Sequence, residues 1–270
     1  MSFRSFARSF ARQWLAVGAV GITLMGSGLG GAPEAIAQTQ EDAPQEDVSQ
    51  EDETQEDNTQ EDAARIRRTA EILNSVPVFV VTNTEGIPLV REREDQAITG
   101  AFINRVDAES FLQTLTQDNP ELGEQLQVTL TPLGALYVAD LQNNASEGGF
   151  DVAYIPAKTQ VELALAMPNS GEFRGVPLFF LADSQGNLVT IQREGKGEIP
   201  YFFEKAVAET LVARLVESDP ALANDVELRV TALEQVMAIL QEPDGDQLGD
   251  LILLVPPQAS VEELRRQLDQ

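Results

Sequence analysis

The sequence predicts an α+β fold that consists of two duplicated units related by pseudo-twofold symmetry, with a sheet covered by helices. The first observation is that residues 76–162 align with residues 176–262 at a constant separation of 100 positions. The second is that, in both copies, segments with alternating apolar residues are followed by segments with apolar residues at helical spacing. Such a mixture, in units of about one hundred residues, is typical of domain-sized α+β proteins.

The chain of 270 residues contains no cysteine and no histidine. The absence of cysteine excludes disulfides, thiolate nucleophiles and iron–sulfur sites. The absence of histidine excludes a Ser-His-Asp triad, His-ligated zinc and the usual general base near neutral pH. The composition therefore favours a binding protein without cofactor or metal, although a hydrolase that uses two carboxylates remains an alternative.

Residues 1–37 have the order of segments found in a secretory signal. Three arginines precede an apolar run that begins at Trp14, and a small-residue AIA cleavage site ends the segment. An uncleaved membrane anchor is the alternative, but the apolar run is short and rich in glycine for a spanning helix. We therefore predict an exported protein without stable membrane insertion, whose mature chain begins near Gln38.

Residues 38–62 form an acidic leader in which the triplet Gln-Glu-Asp recurs every five residues. This period is neither helical nor strand-like, and almost no apolar side chain is available for burial, so we predict a disordered, extended segment. Its simplest role is that of a solvating tether. Weak binding of Ca²⁺ or capture of a basic partner is the alternative.

The charge of the chain restricts its partners. Removal of residues 1–37 takes away three of the 18 basic residues and one of the 44 acidic residues, which leaves a net charge of −28 (15 minus 43). Such a chain is repelled by nucleic acid and by anionic membrane surfaces. We therefore expect no nucleic-acid partner.

The folded part is divided into a first unit, residues 63–158, and a second unit, residues 159–270. Identical residues at the 100-position spacing include Val76 and Val176, Pro77 and Pro177, Phe79 and Phe179, and Gly86 and Gly186. The same register continues to Pro156 and Pro256. Its period is longer than the roughly 20–50 residues of solenoid repeats, so we interpret it as the duplication of a domain.

Each unit is predicted to have the element order β-β-(β)-α-β-α-β-α. A β-rich run, VFVVTN or LFFLAD, leads into a turn that ends on Gly86 or Gly186, where glycine suits a positive φ. The chain then returns as a second strand, continues through an irregular third strand, and enters a helix that ends before Pro120 or Pro220. A helix over residues 62–73 supplies the corresponding element before the first unit.

The second half of each unit follows the same scheme. Alternating apolar residues after each proline predict a further strand. A helix is predicted to begin at Thr131, with Pro132 at its first position. Its counterpart begins at Thr231, where Glu234 would complete a capping box. A last strand, FDVAYIP or LILLVP, precedes a final helix.

Two groups of aromatic and aliphatic residues form the candidate binding surface. They lie in the irregular segment before the first helix of each unit and on that helix, where a core role is less obligatory than on a strand. We predict that they line paired apolar grooves for polypeptide, with packing in the core as the alternative. The predicted groove residues are Phe102, Phe111 and Leu115 in the first unit and Tyr201, Phe202, Phe203, Leu211 and Leu215 in the second.

The opening strand of each unit, its glycine turn and the following helix resemble a known protein family. The segments VPVFVVTNTEGIPLV and FINRVDAESFLQTLTQDNPEL are similar to the 22-kilodalton component of the translocon at the inner chloroplast envelope and its cyanobacterial relatives. The second copy, GVPLFFLADSQGNLVTIQREGKGEIPYFFEKAVAETL, strengthens the resemblance. The similarity covers about residues 63–257, and its motifs are structural rather than catalytic.

The resemblance implies a soluble, non-enzymatic protein of the periplasm or the thylakoid lumen. It implies a chaperone-like role in escorting preproteins or outer-membrane protein precursors during protein translocation or outer-membrane biogenesis. It also implies contact with the POTRA domains of an Omp85-type barrel. A carboxylate-based hydrolase, or a lumenal scaffold or ligand-binding protein, remains the alternative.

Overall fold

The computed structural model of the protein describes residues 22–24, 50–93, 96–144, 150–168, 170, 173–242 and 245–269. Within these ranges the strands are β1 (Ile22–Leu24), β2 (Pro77–Asn83), β3 (Arg91–Arg93), β4 (Gln96–Phe102), β5 (Leu126–Pro132), β6 (Phe150–Ile155), β7 (Pro177–Asp183), β8 (Val189–Arg193), β9 (Lys196–Phe202), β10 (Val226–Ala232) and β11 (Ile252–Val255). The helices are α1 (Gln50–Leu73), α2 (Arg105–Asp118), α3 (Pro120–Gly123), α4 (Leu133–Asn144), α5 (Lys158–Leu165), α6 (Lys205–Ser218), α7 (Leu233–Gln241), α8 (Gly245–Gly249) and α9 (Gln258–Leu268), with a 3-10 helix over Pro220–Asn224. This mixture confirms the predicted α+β class.

The strands form two sheets that are covered by helices. In the first sheet the strand order is β3-β4-β2-β5, and β6 runs parallel to β4. In the second sheet the order is β1-β8-β9-β7-β10, and β11 runs parallel to β9. The sequence is compatible with one continuous sheet or two abutting sheets, and the structure has two.

Equivalent residue pairs recur in the two sheets at the predicted spacing. Examples of such pairs are Phe79–Phe102 with Phe179–Phe202, and Arg91–Ile98 with Ile191–Glu198. Because each member of a pair has its counterpart 100 positions away, the strands of both units are aligned in the same way. The pseudo-twofold relation between the units stays a prediction.

Both units use the same turn after their first long strand. In the first unit the Asn83 side chain accepts hydrogen bonds from the backbone N–H groups of Glu85 and Ile87. Gly86 has a φ of 84°, a left-handed conformation that glycine adopts without a steric penalty from Cβ. Asp183 makes the equivalent contacts in the second unit, so the shared glycine and the preceding Asn or Asp are explained by the turn.

Helices α4 and α7 begin two residues later than predicted. The predicted starts at Thr131 and Thr231 are wrong, because both threonines belong to β5 and β10, whose ladders with β2 and β7 continue one residue further. Glu234 does not complete a capping box. Its carboxylate instead accepts a hydrogen bond from the backbone N–H of Val176, with one oxygen at 3.1 Å, and thereby ties α7 to the start of β7.

Helix α1 is longer than predicted. It begins at Gln50 rather than near residue 62, so residues 50–62 of the leader, which were expected to be disordered, are helical in the structure. Glu and Gln are good helix formers, and this stretch contains no proline or glycine, so the helix can extend outward from its packed end. At that end Ala70 and Leu73 are buried, as the helical spacing predicts. Residues 38–49 of the leader lie outside the described residues.

Strand β1 lies in the segment predicted to be a secretory signal. It pairs antiparallel with β8, so that Ile22 lies opposite Ile191. The other residues of segment 1–37 lie outside the described ranges, and removal of the signal stays a prediction. Loss of β1 would leave β8 at the edge of the second sheet. Among the helices that the structure describes, none is long and apolar enough to cross a bilayer.

One apolar core joins the two sheets. It contains residues of α1, α4 and α7 together with inward-facing residues of strands from both units. A second core lies around Phe179 and Phe202 beneath α6, and a third lies around Phe79 and Phe102 beneath α2. Because successive residues of a strand point to opposite faces, neighbouring side chains of one strand belong to different cores.

The C-terminal helix of the second unit returns to the first unit. Helix α9 contacts β2, and the Ser260 hydroxyl donates a hydrogen bond to the backbone carbonyl of Ile103. Helix α5, which begins at the boundary between the units, contacts β7 in the equivalent way, and its Gln160 side chain accepts a hydrogen bond from the backbone N–H of Lys205 at 3.0 Å. The units are therefore linked by packing as well as by the chain.

Replacing Gly175 by alanine is expected to lower the free energy of unfolding by about 1–2 kcal/mol. Gly175 has a φ of 102°, and a Cβ at this position would meet the carboxylate of Glu234. Gly86→Ala is the matched control, because Gly86 also has a positive φ but a Cβ there would meet no heavy atom within 4 Å. Urea unfolding measures the loss of stability in both variants, and the difference between the two losses is the steric cost of the contact with Glu234. Equal losses would show that Glu234 moves aside freely.

Candidate functional site

An apolar pocket opens on the first unit, between the first sheet and helix α2. Its volume is about 290 Å³. Its lining residues are Val81, Leu89, Arg91, Ile98, Thr99, Gly100, Phe102, Phe111, Ala153 and Ile155. They come from β2, β3, β4, β6 and α2 and from the segment before β3, so the pocket depends on strand pairs that the chain brings together from distant positions.

The local sequence of β4 shapes the pocket wall, because Gly100 allows Ile155 and Phe102 to pack closely against the strand. Gly100 has no side chain, and a Cβ at its position would lie only 2.8 Å from the Cδ1 atom of Ile155. The hydroxyl of Thr99 is already used, because it donates a hydrogen bond to the backbone carbonyl of Leu89 at 3.0 Å. The pocket wall is therefore apolar even where it contains a polar residue.

Two aromatic rings form one side of the pocket. The centroids of Phe102 and Phe111 are 5.4 Å apart, with an interplanar angle of 39°. Phe102 is buried, whereas Phe111 on α2 is 40% exposed. A large apolar side chain that is held against another ring but still open to solvent is a contact point for a ligand.

The structure brings together two of the eight predicted groove residues. Phe102 and Phe111 line the pocket, whereas Leu115 lies further along α2 and does not. In the second unit Leu211 is half-buried and packs against the core beneath α6. The other four predicted residues, Tyr201, Phe202, Phe203 and Leu215, are buried with at most 5% of each exposed.

These four buried residues correct the prediction of a groove in the second unit. Tyr201 and Phe203 face the core that joins the two sheets, whereas Phe202 points to the opposite side, into the core beneath α6. The segment is a regular continuation of β9, and its neighbour β11 holds it through the hydrogen bond from the backbone N–H of Phe203 to the carbonyl of Val255. Packing in the core, the alternative that the sequence left open, describes these residues.

Several pocket residues were not singled out in the sequence. Leu89 and Ile98 belong to predicted strands, but no local signal separates a pocket wall from an ordinary strand. The site could have been found by comparing the two copies, because they differ in residue type at pocket positions. Gly100 corresponds to Pro200 at the 100-position spacing, and Arg91 corresponds to Ile191.

A cluster of half-buried polar residues, contributed by both units, lies away from the pocket. Asp140 of α4 accepts a hydrogen bond from the backbone N–H of Val152 at 2.8 Å, and Glu234 of α7 accepts one from Val176. Burial raises the pKa of both carboxyls above the ordinary value, although these hydrogen bonds lower it in part. Burial, together with the nearby Asp140 and Glu234 charges, also raises the pKa of the Tyr154 hydroxyl.

The pocket has no acidic side chain among its lining residues. Neither Asp140 nor Glu234 lines the pocket, and no other acidic residue does so. Among the residues that the structure describes, no group of three or more acidic side chains is arranged to hold a metal ion. The pocket therefore offers apolar contact and one cation, and no general acid or base.

Replacing Glu234 by glutamine is expected to raise the free energy of unfolding at pH 7 by up to about 1 kcal/mol. The raised pKa means that the folded state favours the neutral carboxyl, so its contribution to stability is complete below a pH of about 4 and is lost as the pH rises through the folded-state pKa. Unfolding at pH 4 and pH 7 tests this, with Glu121→Gln on an exposed surface as the charge-matched control. A free energy of unfolding at pH 7 that is lower for Glu234→Gln than for the wild type would contradict the prediction.

Comparison with known proteins identifies the family of the chain. A family model described as the Tic22-like family matches residues 16–266. No curated protein sequence gives a match. Tic22 of Anabaena, described as a protein-transport protein, is 26% identical, with a TM-score of 0.64 over 74% of this chain and 96% of that chain. Tic22 from Plasmodium falciparum is 20% identical, with a TM-score of 0.57 over 73% of this chain and 96% of that chain, and has the same fold.

The family match and the structural similarity agree with the fold described above. The family model extends over nearly the whole sequence, including the first unit and almost all of the second. The two solved structures are covered almost completely. The resemblance seen in the opening strands and turns is thereby confirmed, and the chain belongs to the Tic22-like family.

Proposed function

We propose that this protein is a non-enzymatic factor in protein translocation that binds extended segments of client polypeptides through the apolar pocket of the first unit. The observation that carries the proposal is the partly exposed Phe111, whose ring lies tilted against that of Phe102 beside a 290 Å³ opening with a largely apolar wall. Such a surface fits an apolar side chain of an extended client segment.

The size of the pocket determines the strength of binding. Burial of one aromatic side chain removes about 150–250 Å² from water, which at about 25 cal/mol per Å² corresponds to roughly 4–6 kcal/mol. The lost translational and rotational freedom costs at least about 4 kcal/mol. One pocket therefore supports weak and rapidly reversible binding, which suits an escort that must release its client.

Membership of the family supports the transport role. The Anabaena relative is described as a protein that acts in protein transport. On this basis preproteins or outer-membrane protein precursors are the proposed clients, and the POTRA domains of an Omp85-type barrel are a proposed docking partner. The predicted export signal supports a location in the periplasm or the thylakoid lumen, where such clients pass.

The proposal is tested by suppression of aggregation of an outer-membrane β-barrel precursor as it is diluted from urea. The wild-type protein at several-fold excess is expected to reduce light scattering, and Phe111→Ala is expected to weaken this effect severalfold. Val106→Ala on the same helix is the matched control, because Val106 is 62% exposed and does not line the pocket. Equal effects of the two variants, or no suppression by the wild type, would refute the proposal.

A further inference from the structure

The pocket contains one charged side chain among its lining residues, all of which lie in the described ranges. Arg91 is the first residue of β3 and lies opposite Ile98, another lining residue, on β4. It is exposed and forms no ion pair with a described residue. The Thr99 hydroxyl is engaged with Leu89, so the guanidinium supplies the side-chain hydrogen-bond donors that a ligand in the pocket can reach.

We propose that the pocket recognises the C-terminal residue of a polypeptide, with an apolar or aromatic side chain inside and the terminal carboxylate on Arg91. This inference rests on the proposed function, because it specifies which part of a client the pocket binds. A guanidinium pairs with a carboxylate through two parallel hydrogen bonds, which fix orientation as well as add affinity.

The size of the pocket favours a chain end over an internal segment. A dry apolar cavity of about 150 Å³ accommodates benzene, so a volume of 290 Å³ holds about one aromatic side chain and its attachment. Only at the C-terminus does a single residue carry both the apolar group and a carboxylate. Inside a chain the two groups would come from neighbouring residues, and the backbone would have to enter and leave the same small opening.

The charge of the protein also favours a single terminal carboxylate as the ligand of Arg91. The chain has a formal net charge of −26, which repels acidic stretches of a client. One terminal carboxylate beside one arginine is matched in charge, whereas a run of acidic residues is not. An isolated exposed pair contributes little, so we expect the carboxylate to strengthen binding by about fivefold rather than by orders of magnitude.

The test measures the affinity of the mature chain for three short fluorescent peptides. One ends in phenylalanine with a free carboxylate, the second is its C-terminal amide, and the third has the phenylalanine in the middle. The wild type is expected to bind the free acid about fivefold more tightly than the amide. Arg91→Gln is expected to bind the free acid and the amide with equal affinity, and Arg91→Lys is expected to restore part of the difference.

Arg67→Gln is the matched control, because Arg67 is exposed on α1 and does not line the pocket. Equal binding of acid and amide by the wild type would overturn this inference but leave the proposed function standing. Absence of binding for all three peptides, with precursor aggregation still suppressed, would overturn the inference and move the client site elsewhere. Tighter, Arg91-dependent binding of palmitate that displaces the peptide would overturn it in favour of a fatty acid.

Discussion

Replacing Phe203 by alanine is expected to lower the free energy of unfolding by about 3–5 kcal/mol. The Phe203 side chain is 2% exposed and packs in the core that joins the two sheets, together with Val176 and Leu233. Truncation removes most of a large apolar side chain and leaves a cavity that neighbours on two sheets cannot fill together. Because this core connects both units, we expect a single cooperative transition at lower denaturant concentration rather than separate unfolding of the second unit.

Urea unfolding followed by circular dichroism measures this loss, and precursor binding is measured below the transition. Phe111→Ala is the opposite control, because Phe111 is 40% exposed and its truncation leaves little cavity. We expect Phe111→Ala to reduce binding with a small change in stability, and Phe203→Ala to do the reverse. A Phe203→Ala protein with wild-type stability and no client binding would instead place Phe203 in a binding groove.

The contrast between these two phenylalanines shows where sequence reasoning about the site stops. Phe203 lies in the predicted irregular segment before the first helix of its unit, and Phe111 lies on the corresponding helix of the first unit. Phe111 is 40% exposed on α2 at the mouth of the pocket, whereas Phe203 continues a strand that lies between β7 and β11. Exposure therefore depends on strand neighbours contributed from distant positions, which local composition does not contain.

More of the fold than of the candidate site could be predicted from the sequence. The 100-position spacing aligned the strands of the two units, and backbone pairing within each unit gives them equivalent registers, such as Phe79 with Phe102. The sequence did not predict that α1 extends into the leader, because the leader has no apolar face to signal a helix. Nor did it predict that α9 returns to the first unit, where Ser260 bonds to Ile103 and Glu263 pairs with Arg105, because these buried residues of α9 are polar.

Replacing Arg105 by alanine is expected to lower the free energy of unfolding by about 2–3 kcal/mol, less than for a fully buried pair because Arg105 is partly exposed. The Glu263 carboxylate of α9 is 8% exposed and pairs with Arg105 at the start of α2 and with Arg266, whose Nη2 lies 2.7 Å away. Removal of Arg105 leaves this carboxylate buried with a single cation. The contact between α9 and the first unit is therefore weakened at its centre.

The pH dependence provides a second readout. Burial alone would raise the pKa of Glu263, but the hydrogen bond from Gln267 and the charges of Arg105 and Arg266 lower it below the ordinary value. Its contribution to stability is therefore complete above the unfolded-state pKa of about 4.3 and is lost as the pH falls through the lower folded-state pKa. The Arg105→Ala protein is expected to lose less stability than the wild type over that acidic interval.

Lys205→Ala is the matched control for this prediction, because Lys205 has the equivalent position in the second unit and pairs with the exposed Glu209 at 3.0 Å. An exposed pair at this helical spacing contributes about 0.3–0.5 kcal/mol, so Lys205→Ala is expected to unfold almost as the wild type does. Hydrogen exchange of the backbone amides of α9 and β2 locates the effect. Faster exchange of these amides in Arg105→Ala, but not in Lys205→Ala, would mean that the ion pair holds the C-terminal helix on the first unit. Equal losses in both variants would mean that apolar packing of α9, and not Glu263, makes that connection.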